Sequence, residues 1–326
     1  MLPVELACAQ RLEGLLFAAL RTVGDARQVE FSATAREIIG TNLLRPLALR
    51  PVLAALNEGG VKALLYKGAA TTHLFPVLRG VRGVADADLL VSRDQFEAAR
   101  SILLKLGLAE SIAGEPLSFW SNNERVFIGG HPELQIDLHR GLHRRPLFDR
   151  LAQHALKTAV EEAGVWYPAV TMVPLLAAAH RAKHGYTADA RELMDGVSAF
   201  ARMPDEEFSE LAKSAVQLEV AGALYAFWSL VRTWFGPTND AESAAFIALG
   251  DGIGWRRRAI DELVALDGPS DTNKPWAKRG FVKLYAPYPL LAGGWAAPAA
   301  LLAAHVVLRT ADRLAGGVNV LEPASR

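Results

Sequence analysis

The chain has 326 residues, with 35 Lys and Arg against 35 Asp and Glu, a formal net charge of zero, and 51% apolar side chains. That length allows a large core and two domains, and the apolar share excludes a disordered chain. Zero net charge argues against a dedicated polyanion binder, and a single cysteine, Cys8, excludes a disulfide scaffold or a cysteine-ligated metal within a monomer.

In chain order, residues 1–24 and about 34–57 read as helices, the second jointed at Pro46 and Pro51. Met1 to Leu6 lacks a basic stretch followed by a long apolar run, so no signal peptide is read and a cytoplasmic location is expected. Gly59-Gly60 releases the chain into a strand, Val61–Tyr66. The strand ends in Lys67-Gly68-Ala69-Ala70-Thr71-Thr72, a small-residue turn opening a helix. Small side chains there let phosphate oxygens approach backbone N–H groups at a helix start. Arg79 and Arg82, on a segment with Gly80 and Gly83, supply two cations to clamp a triphosphate.

Val84 to Val91 is the most informative stretch. It reads as a buried strand, yet Asp86 and Asp88 stand two residues apart within it and therefore point the same way. Adjacent carboxylates repel each other, and a divalent cation held between them relieves that cost. The pair reads as half of a metal site.

After it, Ser92 with Gln95 forms a capping-box pattern for a helix that Gly107 stops. Glu124 to Ile128 and Glu133 to His139 read as a hairpin around Gly129-Gly130-His131-Pro132. In its second strand Leu134, Ile136 and Leu138 share the core face, and Gln135, Asp137 and His139 share the other. Asp137 is the natural third carboxylate.

From Pro146, beyond a short strand pair around residues 157–170, the pattern is helical, with breaks at Gly185, Pro204, Gly236-Pro237 and Gly268-Pro269. His180 and His184 stand four apart on a helix, a spacing that can grip zinc, but no Glu follows His180 and no third ligand is evident. Asp195 reads as an anchor for that helical region. Leu284 to Leu308 is long enough to span a bilayer, but Pro287, Pro289, Gly293, Gly294 and Pro298 argue for two short buried helices or a docking surface.

The order of strand, glycine turn, helix, Asp-x-Asp strand and later acidic strand resembles the nucleotidyltransferase superfamily that includes DNA polymerase beta and the aminoglycoside nucleotidyltransferases. It is most similar to the bacterial group labelled uncharacterised nucleotidyltransferase. The residues that carry the resemblance are Lys67-Gly68-Ala69-Ala70, Arg82 ahead of Asp86-Ala87-Asp88-Leu89-Leu90-Val91, and Asp137-Leu138-His139. It covers roughly residues 42–143 and continues more weakly to about 200, through His180, His184 and Asp195. One departure is Ala69, which lacks the hydroxyl that often holds a phosphate at this turn; Thr71 and Thr72 are close by.

The resemblance implies an α+β fold, a nucleotidyltransferase-like mixed sheet with flanking helices followed by a mainly helical second domain. Residues 1–58 would be helices packed on the catalytic domain, 59–145 its core, and 146–326 an acceptor-binding domain. Two Mg²⁺ ions are the expected cofactors, since the candidate ligands Asp86, Asp88 and Asp137 are all hard oxygens. Asp86 and Asp88 would bridge the ions, and Asp137 would serve the ion that activates the acceptor. Lys67, Gly68, Ala69, Arg79, Arg82, His139, His180, Lys183 and His184 would contact the nucleotide, the last three from across the cleft. The expected partners are a nucleoside triphosphate and an acceptor such as a small molecule, a peptide or a protein, with RNA and membrane disfavoured. Alternative readings are a toxin-type tRNA nucleotidyltransferase and a non-catalytic nucleotide sensor.

Overall fold

A computed structural model describes residues 13–111, 123–130, 133–142, 148–183 and 190–266. Cys8, the 131–132 turn, His184, Gly185, Gly268-Pro269 and the apolar segment 284–308 lie outside the described residues.

The chain enters through helices α1 (Glu13–Thr22) and α2 (Gln28–Glu58), then β1 (Leu64–Tyr66) and α3 (Lys67–Leu74). Next come β2 (Ala87–Leu90), α4 (Phe96–Lys105), β3 (Ala109–Glu110), β4 (Glu124–Gly129) and β5 (Leu134–His139). Helix α5 (Asp149–Lys157) leads to β6 (Val160–Glu162) and β7 (Val165–Tyr167). Helices follow from there: α6 (Met172–Lys183), α7 (Ala190–Arg202), α8 (Asp205–Gln217), α9 (Ala221–Phe235), α10 (Asp240–Gly252) and α11 (Arg256–Leu266).

All seven strands form one sheet in the order β3-β4-β5-β2-β1-β7-β6. β1 with β7 and β2 with β5 are parallel and the remaining pairs antiparallel, so the sheet is mixed and the fold is α+β as the sequence predicts. The predicted strand pair around 157–170 is present as β6 and β7, which extend this same sheet.

Each face of the sheet has its own core. Leu65, Leu89, Ile136 and Leu138 pack against Leu53 and Leu56 of α2 and Phe96, Ala99 and Leu103 of α4. Leu64, Tyr66 and Leu90, on the opposite face, enter a larger core built from α5 to α11, with Trp228, Phe200 and Phe208 at its centre. The helical half therefore leans directly on the strands that carry the acids.

Two local details differ from the sequence pattern. Helix α2 runs unbroken through Pro46 and Pro51. Both prolines are exposed, so each carbonyl that loses its N–H partner is on the side where water replaces it. The Ser92 hydroxyl donates to Gln95 Oε1 at 3.3 Å, a contact between the two side chains and not the side-chain-to-backbone bonds of a capping box. Gln95 also accepts from Lys62 N–H at 3.2 Å and donates to the Gly60 carbonyl at 2.8 Å, tying the start of α4 to the entry of β1.

Among the described residues no helix is long and apolar enough to cross a membrane.

Candidate active site

Antiparallel pairing places Tyr66 opposite Asp88, and parallel pairing places Asp88 opposite Asp137. Strand alternation then puts both carboxylates on one face of the sheet, since Ala87, Leu89, Ile136 and Leu138 take the other. His139, two residues beyond Asp137, joins them. Ligand atoms of Asp88, Asp137 and His139 all lie within 4.8 Å of one another. The His139 Nε2 is 2.9 Å from Asp88 Oδ1, its Nδ1 is 3.6 Å from Glu124 Oε2, and Tyr66 packs edge-on to its ring at 5.4 Å.

Lys67 completes the cluster. It stands at the turn from β1 into α3 with φ of +54°, a left-handed conformation strained for any residue with a Cβ. Its ammonium lies 2.5 Å from Asp88 Oδ1. Asp86 sits just ahead of β2, half-buried and outside the three-residue ligand group, yet within the field of Asp88, Lys67, Arg82 and Arg191.

The charges do not balance. Burial pushes the Asp88 carboxyl up, but the Lys67 ammonium and the hydrogen bond from His139 more than offset it, leaving Asp88 well below the usual carboxylate range. Asp137 has the Gln135 amide, 3.1 Å away, and the more distant His139 ring to stabilise its charge, and no Lys or Arg pairs with it among the described residues. Burial first, then the neighbouring Asp88 charge, pushes it up to about 6. Burial and Asp88 likewise raise Asp86. Two of the three acids are thus short of positive charge, and that is an observation of fit for a cation held by Asp88 and Asp137 with Asp86 beside them.

This demand gives a pH prediction. With its folded-state value above its unfolded one, Asp137 contributes stability at low pH that is lost as pH rises through about 6. A bound cation must displace the proton, so Mg²⁺ should raise the melting temperature little near about pH 5 and clearly more above about pH 7. Equal stabilisation at both would remove Asp137 from the ligand set.

The other predicted residues divide. A Cβ on Gly68 would lie 2.2 Å from Arg82 Nη1, so the absence of a side chain there admits a guanidinium. Arg82 is buried, and its Nε and Nη2 each donate to Asp195 at 2.7 Å, while Nη1 donates to the Gly83 carbonyl at 3.2 Å. This bidentate pair joins the segment ahead of β2 to α7 and gives Asp195 its anchoring role. Breaking it removes the carboxylate that faces a buried guanidinium. Asp195→Ala should therefore cost about 3–5 kcal/mol in a denaturant titration, whereas a change below about 1 kcal/mol would show the pair to be dispensable.

Ala69 packs beside the α2-side core. The Thr71 and Thr72 hydroxyls donate back to the Gly68 carbonyl at 3.2 and 3.1 Å. Arg79 is exposed, with Nε and Nη2 at 3.3 and 3.4 Å from the Thr72 and His73 carbonyls at the end of α3. His180 pairs with Glu192, which also pairs with Arg181. His180, Glu192, Asp195, Thr71 and Lys67 line a cavity of about 20 Å³, room for one water, so the structure does bring His180 across to Lys67. Lys183 ends α6.

Glu124 lies near this site, where hairpin register sets it opposite His139. Arg45 and Arg191, which share the field of Asp86, carry no such signal because they lie on helices far apart in sequence.

A mixed sheet carrying an Asp pair at the head of one strand, a third Asp opposite it on the parallel neighbour, and a glycine turn opening a helix beside them is the arrangement of a nucleotidyltransferase. The helical half that covers one face accords with this class. The chain belongs to the family described as uncharacterised nucleotidyltransferase, whose family model matches residues 3–236. The match ends at the Gly236 cap of α9, so α10 and α11 lie beyond it. No curated protein and no solved structure matches the chain. Family membership supports nucleotidyl transfer from a nucleoside triphosphate.

Proposed function

We propose that the protein moves a nucleoside monophosphate from a nucleoside triphosphate to a hydroxyl or phosphate of an acceptor, at the face that bears Asp86, Asp88 and Asp137. The observation that carries this reading is Asp88 directly opposite Asp137, with Asp137 pushed up to about 6 by burial and then by the neighbouring Asp88 charge. Mg²⁺ is the proposed cofactor, with Asp88 and Asp137 as ligands and Asp86 beside them; such ions stabilise the attacking and leaving oxygens of an in-line displacement. The His139 nitrogen among the possible donors makes Mn²⁺ the informative comparison ion.

The protein's own groups have separable tasks. Asp137, ionised above about pH 6, accepts the acceptor's proton directly or through water. Lys67, on release from Asp88, supplies positive charge to the phosphates. Arg82 holds the turn beneath them through Asp195. Residues 1–58 and 146–326 would flank a catalytic core of 59–145 and shape the acceptor side.

One observation favours a second reading, a nucleotide sensor without turnover. The Lys67 ammonium already sits on Asp88 as a resident cation would. Incubation with each α-labelled triphosphate, Mg²⁺ and a cell extract separates the two readings. The transferase reading expects label in an acceptor fraction, and tight triphosphate binding with no labelled product from any nucleotide would leave the sensor.

A further inference from the structure

Beside Asp86 lies a second, larger pocket of about 300 Å³, at the lower end of the range for small-molecule sites. One wall is the segment 83–85, which leads directly into Asp86; the others are α1, α2 and the start of α7. These walls are firmly joined. A Cβ on Gly14 of α1 would lie 2.4 Å from the Val81 carbonyl oxygen, so that helix rests on the backbone ahead of the pocket. Leu15 and Leu16 pack on Ala190 of α7. The Asn42 amide nitrogen donates to the Arg79 and Arg82 carbonyls at 2.7 and 2.8 Å, fixing α2 to the same segment.

The lining has a chemical sense. Glu13, Glu37, Thr34, Thr41, Asn42 and Arg191 contribute polar groups. With its nitrogen committed twice, Asn42 keeps a buried Oδ1 that has no hydrogen-bond partner among the described residues. Two carboxylates against one guanidinium make the lining rich in hydrogen-bond acceptors and give it a negative balance of charge. A triphosphate would be repelled there. A molecule presenting several O–H or N–H groups would be held.

We infer that this pocket binds the acceptor, and that the acceptor is a small neutral or amino-bearing polyhydroxy compound, of about the bulk of one sugar ring. This inference rests on the nucleotidyl-transfer reading and deepens it by naming the substrate class. The segment 83–85 then delivers an acceptor hydroxyl to the side of Asp86, next to the proposed cation site. The hydroxyl oxygen attacks the α-phosphorus, the bond from that phosphorus to the bridging oxygen breaks, pyrophosphate leaves with its electron pair, and the hydroxyl proton passes to Asp137 or water.

The test uses the full-length protein, a mixture of four α-labelled nucleoside triphosphates, Mg²⁺, and the small-molecule fraction of a cell extract split by ion exchange into anionic, neutral and cationic pools. Label should enter the neutral or cationic pool. Thr41→Trp, which fills the pocket, should cut that labelling by about a hundredfold, and Glu37→Gln should cut labelling of a cationic acceptor by about tenfold. Neither change should alter the affinity for a non-hydrolysable triphosphate, which also shows that both variants are folded. Label confined to the anionic pool or to macromolecules, or undiminished in both variants, would overturn the pocket assignment while leaving transfer intact. Triphosphate affinity lost with Thr41→Trp in a protein that still melts cooperatively would give the pocket to the nucleoside instead. A wild-type protein that labels nothing would sink the transfer reading, and this inference with it.

Discussion

Asp137→Asn should leave triphosphate binding nearly intact and lower transfer by on the order of a thousandfold or more, a loss of about 4 kcal/mol of transition-state stabilisation. The asymmetry follows from its place. Asp137 is half-buried on β5, and among the described residues its carboxylate accepts a hydrogen bond from the Gln135 amide and pairs with no Lys or Arg. Its carboxyl is pushed up to about 6, so replacing it with a neutral amide removes an unfavourable charge, and the cation-free protein should be no less stable at neutral pH. Calorimetry with a non-hydrolysable triphosphate beside label transfer separates binding from turnover. Equal loss of both would move the third-acid role elsewhere, with Glu124, opposite His139, the next residue to substitute.

Asp88→Asn has the larger effect of the two, abolishing Mg²⁺-dependent binding and transfer together. It should also weaken the fold. Asp88 is 3% exposed and carries contacts from both Lys67 and His139, so neutralising it takes the nearest carboxylate from a largely enclosed ammonium. Breaking such a pair costs about 3–5 kcal/mol. Activity loss alone is therefore ambiguous at this residue. The double variant Lys67→Met with Asp88→Asn removes both charges and should regain most of the stability, read by denaturant titration, without regaining transfer. Transfer restored in the double variant would mean that Asp88 acts only as the partner of Lys67.

The strands that carry the acids were legible because period-two patterning is local. Leu134, Ile136 and Leu138 fall on the core side, as alternation requires, and Asp137 and His139 fall on the other. That Asp88 and Asp137 meet was legible only through resemblance, since pairing of β2 with β5 joins residues 49 apart. Arg82 shows where local reading ends. Its spacing from Asp86 is visible, but its partner Asp195 lies 113 residues away, and the sequence carries no mark of that contact. Gly68 reads as room for phosphate and in the structure makes room for Arg82. In both cases the residue type was informative and the partner was set by tertiary packing. The proline-bearing helix α2 makes the same point, since an exposed face tolerates prolines that an isolated sequence pattern marks as joints.

The central claim is that Asp88 and Asp137 hold divalent cations in company with a nucleoside triphosphate. Titration of Mn²⁺ followed by electron paramagnetic resonance, with a saturating non-hydrolysable triphosphate, tests it most directly. The account predicts two bound ions per wild-type chain, one fewer in Asp137→Asn, and none above the nucleotide's own in the Lys67→Met, Asp88→Asn double variant. The same stoichiometry and affinity in all three proteins would contradict it.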